Sequence, residues 1–271
     1  MTDAISCSRL VGGHVLVEGP REDGEGGVLF SDVVAGGVWR WTGGKRATAV
    51  LEGRRGIGGL VPHAKGGLVV TGRDVTVVGG RGEDRELLGL RGGMKGFNDL
   101  VTTDDGGLLV GALRFRPLAG EEPVAGEVWR VPPRRGGEPE PVIDGVVWPN
   151  GIGLAPDAAT IYVSDFHTGE VLACAADGSA RRTFARVPDG APDGLAVDAD
   201  GDVWVALGPG GGIARFTPDG ELRERHDIPG AEFVSSVAFA GEDDLLVATA
   251  GALLRWRGVG VTGRPVPACT A

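Results

Sequence analysis

Short apolar runs divided by Gly, Pro, Asn and Asp set the rhythm of this chain, and residues 148–165 show it most plainly. Pro149-Asn150-Gly151 is a bend signal, and Ile152-Gly153-Leu154 is a short apolar strand. Pro156-Asp157-Ala158-Ala159 is a turn, and Ile161-Tyr162-Val163 is the returning strand. The same unit recurs about every forty residues, a period typical of propeller blades. Its second strand appears as Val28-Leu29-Phe30, Leu68-Val69-Val70, Leu108-Leu109-Val110, Ile161-Tyr162-Val163, Val203-Trp204-Val205 and Leu245-Leu246-Val247. A third strand follows each, at 38–41, 75–78, 128–131, 171–174, 213–216 and 253–256, and weaker fourth strands lie beyond most of them.

Six such sheets cannot each bury two faces alone, and radial packing solves this while leaving only short edges. The pattern therefore predicts an all-β fold: a six-bladed β-propeller of four-stranded antiparallel blades, forming one domain over 1–271. The sixth unit runs out of chain before a fourth strand. Residues 6–11 are expected to supply it, so that the N-terminal strand closes the ring and no edge is left unpaired. An open sandwich is the competing architecture. The third unit departs from the rhythm with a long insertion at 113–125, and loops of that length in compact domains are often functional.

Composition narrows the function classes. A net charge of −10 disfavours a nucleic-acid partner, which would call for concentrated Lys and Arg. No apolar run approaches the roughly 20 residues of a membrane span. Residues 1–8 lack the basic-then-apolar pattern of a secretion signal. Cys7, Cys174 and Cys269 are odd in number and lack metal-ligand spacing, as in a reducing cytoplasm. The expectation is a cytoplasmic protein with a small-molecule substrate, a monomer or weak homo-oligomer, and no membrane partner.

The first strands carry the candidate chemistry. If they are innermost, their starting residues Glu18, Gly58, Asn98, Asn150, Asp193 and Ser235 ring one end of the axis. Two carboxylates and two amides facing one narrow opening repel unless a partner is present. A hard divalent cation takes such oxygens, and Glu18 with Asp193 neutralises it. The alternative is that Asn-Gly and Asp-Gly steps only shape turns.

In a propeller the loop between second and third strands returns to the same end, which brings Asp165-Phe166-His167-Thr168 and the 113–125 insertion to the mouth. His167 is a candidate acid/base or substrate donor. Arg114 and Arg116 are candidates for binding a substrate carboxylate. For all three, a solvated loop side chain is the competing reading. Trp148, just before Pro149, is a candidate pocket wall. Trp39, Trp41, Trp129, Trp204 and Trp256 read as core between blades, and His14, His63 and His226 as structural.

Glu18-Gly19-Pro20, Phe97-Asn98-Asp99, Pro149-Asn150-Gly151 with Tyr162-Val163-Ser164-Asp165, and Pro192-Asp193-Gly194-Leu195-Ala196-Val197-Asp198 together resemble the senescence-marker-protein/gluconolactonase/luciferin-regenerating-enzyme family. The tail from Gly251 through Trp256 to Gly263 is similar too. The resemblance implies a six-bladed β-propeller, a divalent metal and hydrolysis of lactones or related esters. Calcium is the first expectation for the ion, with zinc, magnesium or manganese as alternatives. Glu18, Asn150 and Asp193 match the family's metal ligands, and Asn98 a further polar residue that meets water or substrate. Two positions depart from the pattern: Gly96 stands where members acting on sugar lactones often carry Arg, and Arg21-Glu22-Asp23 replaces an aromatic after Glu18-Gly19-Pro20.

The expected activity is therefore metal-dependent hydrolysis of a lactone or similar cyclic ester. Asp193 would hold the ion and accept a proton from water, while Asn98 and Asn150 orient the substrate. Two alternatives share the scaffold: a metal-dependent lyase, hydratase or cyclase of a secondary metabolite, with His167 moving the proton, and a non-catalytic binding propeller.

Overall fold

A computed structural model describes residues 7–80, 82–133 and 137–271. It is an all-β propeller. Among the described residues the one helical element is a 3-10 turn, Pro117–Ala119, inside the insertion. Four sheets have four strands each. They run Leu60–Pro62 to Arg85–Leu88, Gly96–Thr102 to Glu140–Val146, Pro149–Leu154 to Arg182–Arg186, and Leu195–Val197 to Leu222–Asp227. A fifth, six-stranded sheet joins the chain ends in the order Val234–Ala240, Asp244–Trp256, Cys7–Glu22, Val28–Asp32, Val38–Trp41, Thr48–Leu51.

The expectation of six separate four-stranded blades is thus corrected to five sheets. The cause is the length of one strand. Cys7–Glu22 runs for 16 residues. Its first half pairs with Asp244–Trp256, from Cys7 opposite Trp256 to Leu16 opposite Ala250. Its second half pairs with Val28–Asp32, from Val17 opposite Asp32 onward. One continuous strand therefore carries the hydrogen bonding of the first and last sequence units into a single sheet. The ring-closing role expected of 6–11 is seen for Cys7 to Val11; Ser6 lies outside the described residues.

Strand burial follows radial packing. Second strands such as Val28–Asp32, Leu68–Val70 and Val203–Ala206 are buried at every position, because sheets cover both faces. The outer strand Leu222–Asp227 is mostly exposed and rich in charge, which protects an edge. Apolar clusters fill the spaces between sheets, and Trp129 and Trp204 are buried in them as expected. His14 packs against Phe30 and Trp39 beside Asp32, a structural place. All three cysteines are free. No helix of the described residues is long and apolar enough to cross a membrane.

The first strands neighbour one another around the axis, and Val234–Ala240 meets Cys7–Glu22 to complete the circle. Glycine permits this closeness. A Cβ on Gly151 would strike the backbone of Gly194 and Leu195, and one on Gly194 would lie 2.5 Å from Ser236 Oγ. The Asn-Gly and Asp-Gly steps are thus packing requirements of the inner ring as well as bends. At the far end of the axis the C-terminal segment crosses the first-to-second-strand turns. There Arg264 N donates to Val197 O at 3.0 Å, and Thr270 N to Gly106 O at 2.8 Å.

Candidate functional site

Inner-strand residues that are far apart in sequence meet at the mouth of the axis. Glu18, Asn98, Asn150 and Asp193 line one cavity of about 490 Å³. Glu18, Asn150 and Asp193 are buried. Asp193 has the Asn150 side chain and the Gly194 N–H beside it, and both favour its charged form. Its Oδ1 has no partner although it is buried. Gly19 N–H serves Glu18.

Burial pushes the Glu18 carboxyl well above its ordinary range, and the negative charges of Asp193 and Asp99 push it further. Asp193 is raised in the same way, by burial first and then by Asp99, while the Asn150 and Gly194 donors oppose the rise. Three carboxylates thus crowd a buried space, an arrangement that favours a proton or a cation.

A third carboxylate was not singled out from sequence as a site residue. Asp99 follows Asn98 on the strand Gly96–Thr102, where alternation turns it away from the cavity and into the axis. It accepts from Leu100 N at 2.7 Å and from Ile152 N–H, and its charge is felt by Arg21. Burial outweighs these and raises it to about 6. Arg21 Nε is buried without a partner, and burial lowers the Arg21 pKa, opposed by Asp99. The sequence signal for this pair was the charge Arg21 in place of the expected aromatic.

Asn98 is held from two sides. Its Nδ2 donates to Pro149 O at 3.2 Å, and its Oδ1 occupies the space that a side chain on Gly58 would need. Ser235, the sixth member of the ring, is absent from the cavity lining. Its hydroxyl donates to Val17 O at 2.5 Å, which satisfies it within the inner ring.

The insertion reaches the mouth, with Leu113, Phe115, Arg116, Pro117 and Leu118 on the cavity. Trp148 lines it as expected and makes an aromatic wall with Phe115 (centroids 5.6 Å apart) and Phe166 (4.4 Å). Asp165 fixes this wall from behind by accepting from Val147 N at 2.9 Å and Trp148 N at 3.1 Å. Arg116 is at the rim, paired with Glu121 at 3.0 Å. Arg114 and His167 are not brought to the cavity. Glu127 and the Gly92 carbonyl hold the Arg114 guanidinium. His167 is exposed, and its backbone N–H donates to Asp165 at 3.2 Å.

Does this donor set suit a divalent ion? Among the described residues no three His, Cys, Asp or Glu side chains form a metal cluster by themselves. The set here has two carboxylates and needs the Asn150 amide as its third member. An orphaned buried Asp193 oxygen, and like charges that raise one another's proton affinity, fit such an ion.

Fold and site together define a β-propeller with an axial cavity floored by oxygen donors. Residues 16–251 match the family model described as SMP-30/Gluconolactonase/LRE-like region, and the chain belongs to that family. It is 33% identical over 164 residues to a pentonolactonase of Haloferax volcanii, covering 57% of this chain and 53% of that one. With an L-arabinolactonase of Azospirillum brasilense it shares 37% over 107 residues, 37% of this chain and 35% of the relative. These matches thus span about half or less of the relatives' own length. Among solved structures, a gluconolactonase from Xanthomonas campestris superposes with a TM-score of 0.78 at 28% identity, covering 95% of this chain and 89% of that one. A luciferin-regenerating enzyme superposes at 0.85 with 20% identity over 99% and 100%, which speaks for the fold alone.

Proposed function

We propose that this chain is a divalent-metal-dependent hydrolase of a lactone or related cyclic ester. The observation that supports this best is the convergence of Glu18, Asn150 and Asp193 from three separate sheets on one cavity floor, with Asp193 Oδ1 buried and unpartnered. These three residues would hold the ion, calcium being the first candidate. When bound, it supplies Lewis acidity toward the ester carbonyl and toward water.

The chain's own residues supply the rest. Asp193 lines the cavity with its Oδ1 unpartnered, and on this reading it accepts a proton from water. Asn150 lies beside the Asp193 carboxyl and favours its charged form. Asn98, locked between Pro149 O and Gly58, presents its second amide N–H for orienting a substrate oxygen. Trp148 forms a rigid wall and limits water near the reacting carbonyl. The substrate on this reading is a small molecule met by a cytoplasmic protein, with neither nucleic acid nor membrane involved.

Hydrolysis is tested by running turnover of a lactone panel in ¹⁸O-labelled water. One labelled carboxylate oxygen per turnover is the expected result. Ring opening to an unsaturated, unlabelled acid would assign elimination instead.

A further inference from the structure

The polar groups of the cavity are concentrated at one end. Glu18, Asn98 and Asn150 lie on inner strands and Asp193 just before one, and Lys95 and Arg116 are the remaining charged or polar side chains on its lining. Elsewhere the lining is apolar or glycine. Phe97, Phe115, Leu118, Trp148, Phe166 and Phe233 come from five different parts of the chain and face the same space. Among the described residues, no Ser, Thr, Tyr, His or Gln side chain lines it. Leu118 is 71% exposed at the overhanging insertion, an apolar group left without a cover.

A polyhydroxylated ring has donors and acceptors around its whole edge. In this cavity the hydroxyls far from the floor would find only Lys95 and Arg116 as side-chain partners, and each hydroxyl that leaves water unpaired costs roughly tenfold or more in affinity. An alkyl or aryl substituent has the opposite balance, because it exchanges water for aromatic and leucine surface. The volume of about 490 Å³ lies in the range of drug-sized ligands and leaves room beyond a single ring.

Resting on the hydrolase reading above, we infer that the substrate class is a lactone carrying a hydrophobic substituent of several carbons, not a sugar lactone. The ring carbonyl meets the polar floor. The substituent runs along the Phe115–Trp148–Phe166 wall and reaches under Leu118.

The test is kcat/KM over γ-lactones with unsubstituted, butyl, hexyl and octyl γ-positions, compared with D-glucono-δ-lactone. Each added methylene is expected to raise kcat/KM about fourfold until the wall is covered, from about 0.8 kcal/mol per buried CH₂. Leu118→Ser, a change at an exposed position, should lower the octyl-to-unsubstituted ratio several-fold. A gluconolactone kcat/KM at or above that of the octyl lactone overturns the inference.

If no lactone of either kind turns over, the hydrolase reading falls, and binding decides the substrate class separately. Calorimetry would then compare an octyl-substituted γ-lactam with gluconolactam. Tighter binding of the alkyl lactam supports the inference. Tighter binding of gluconolactam, or no binding of either, overturns it.

Discussion

Replacing Asp99 by Asn gives a quantitative test of the axial charge cluster. Asp99 is buried at 7% exposure, and its pKa rises from 3.8 to about 6 despite two backbone donors and Arg21. A carboxyl that binds its proton more tightly when folded stabilises the fold fully below its unfolded pKa. That contribution is lost as pH rises through the folded value. A shift of about two units at 1.36 kcal/mol each corresponds to roughly 3 kcal/mol lost between about pH 4 and pH 7. Glu18 and Asp193, both raised, act in the same direction in chelated protein. Asp23, Asp32, Asp74 and Asp105 are lowered, so their stabilisation is complete above about pH 4 and does not slope in this window. His14 is lowered and opposes the trend below its ordinary value, but it does so equally in both proteins.

The assay is urea denaturation of wild type and Asp99→Asn at half-unit steps from pH 4 to 7.5, with chelator present. The attraction of Arg21 for the Asp99 charge is already contained in that pKa and adds no separate slope. The difference between the two curves should therefore change by roughly 3 kcal/mol across the window, the wild type falling and the variant staying flatter. Parallel curves would refute the claim that Asp99 is forced to carry a proton by its burial.

Four further outcomes follow from the same geometry. Asp193→Asn, which keeps the shape but removes a charge and the candidate base, should lower lactone turnover at least about a hundredfold in steady-state assays. Asn150→Ala should weaken metal binding in calorimetry without removing a negative charge. Deleting the insertion tip around Pro117–Ala119 should change substrate preference across a lactone panel while calorimetric metal affinity stays nearly intact, because the tip lines the cavity far from the floor. Arg21→Met leaves Asp99 without its counter-charge. In urea melts it should cost about 3 kcal/mol at pH 7 and less at pH 5, where Asp99 is already protonated.

Much of the architecture could be read from residue order. A repeated apolar strand preceded by an Asn-Gly or Asp-Gly step locates the inner ring, because strand starts of equivalent units must meet when the ring closes. Glu18, Asn98, Asn150, Asp193 and Trp148 were visible for that reason, and all of them line the cavity. The single six-stranded sheet was not visible, since nothing in Cys7–Glu22 marks the point where a strand changes partner. Arg114 was misplaced because its partner Glu127 stands on the neighbouring strand, a pairing that local sequence does not reveal. His167 follows Asp165 by two residues, and the turn that satisfies its N–H directs the residue to solvent. The aromatic wall escaped for a different reason. Phe115, Phe166 and Phe233 lie in loops without periodicity, and only the ring brings them together.

The central claim is that Glu18, Asn150 and Asp193 hold one divalent ion, and calorimetric titration of chelated protein with calcium tests it most directly. Two buried carboxyls raised by burial and by neighbouring negative charge should give up protons as the ion enters. The predicted result is a single site per chain, with heat that varies with the buffer's ionisation enthalpy, lost in both Glu18→Gln and Asp193→Asn while the circular dichroism spectrum is retained. Absence of binding by calcium, zinc, magnesium and manganese, with lactone turnover undiminished in chelator, would contradict it.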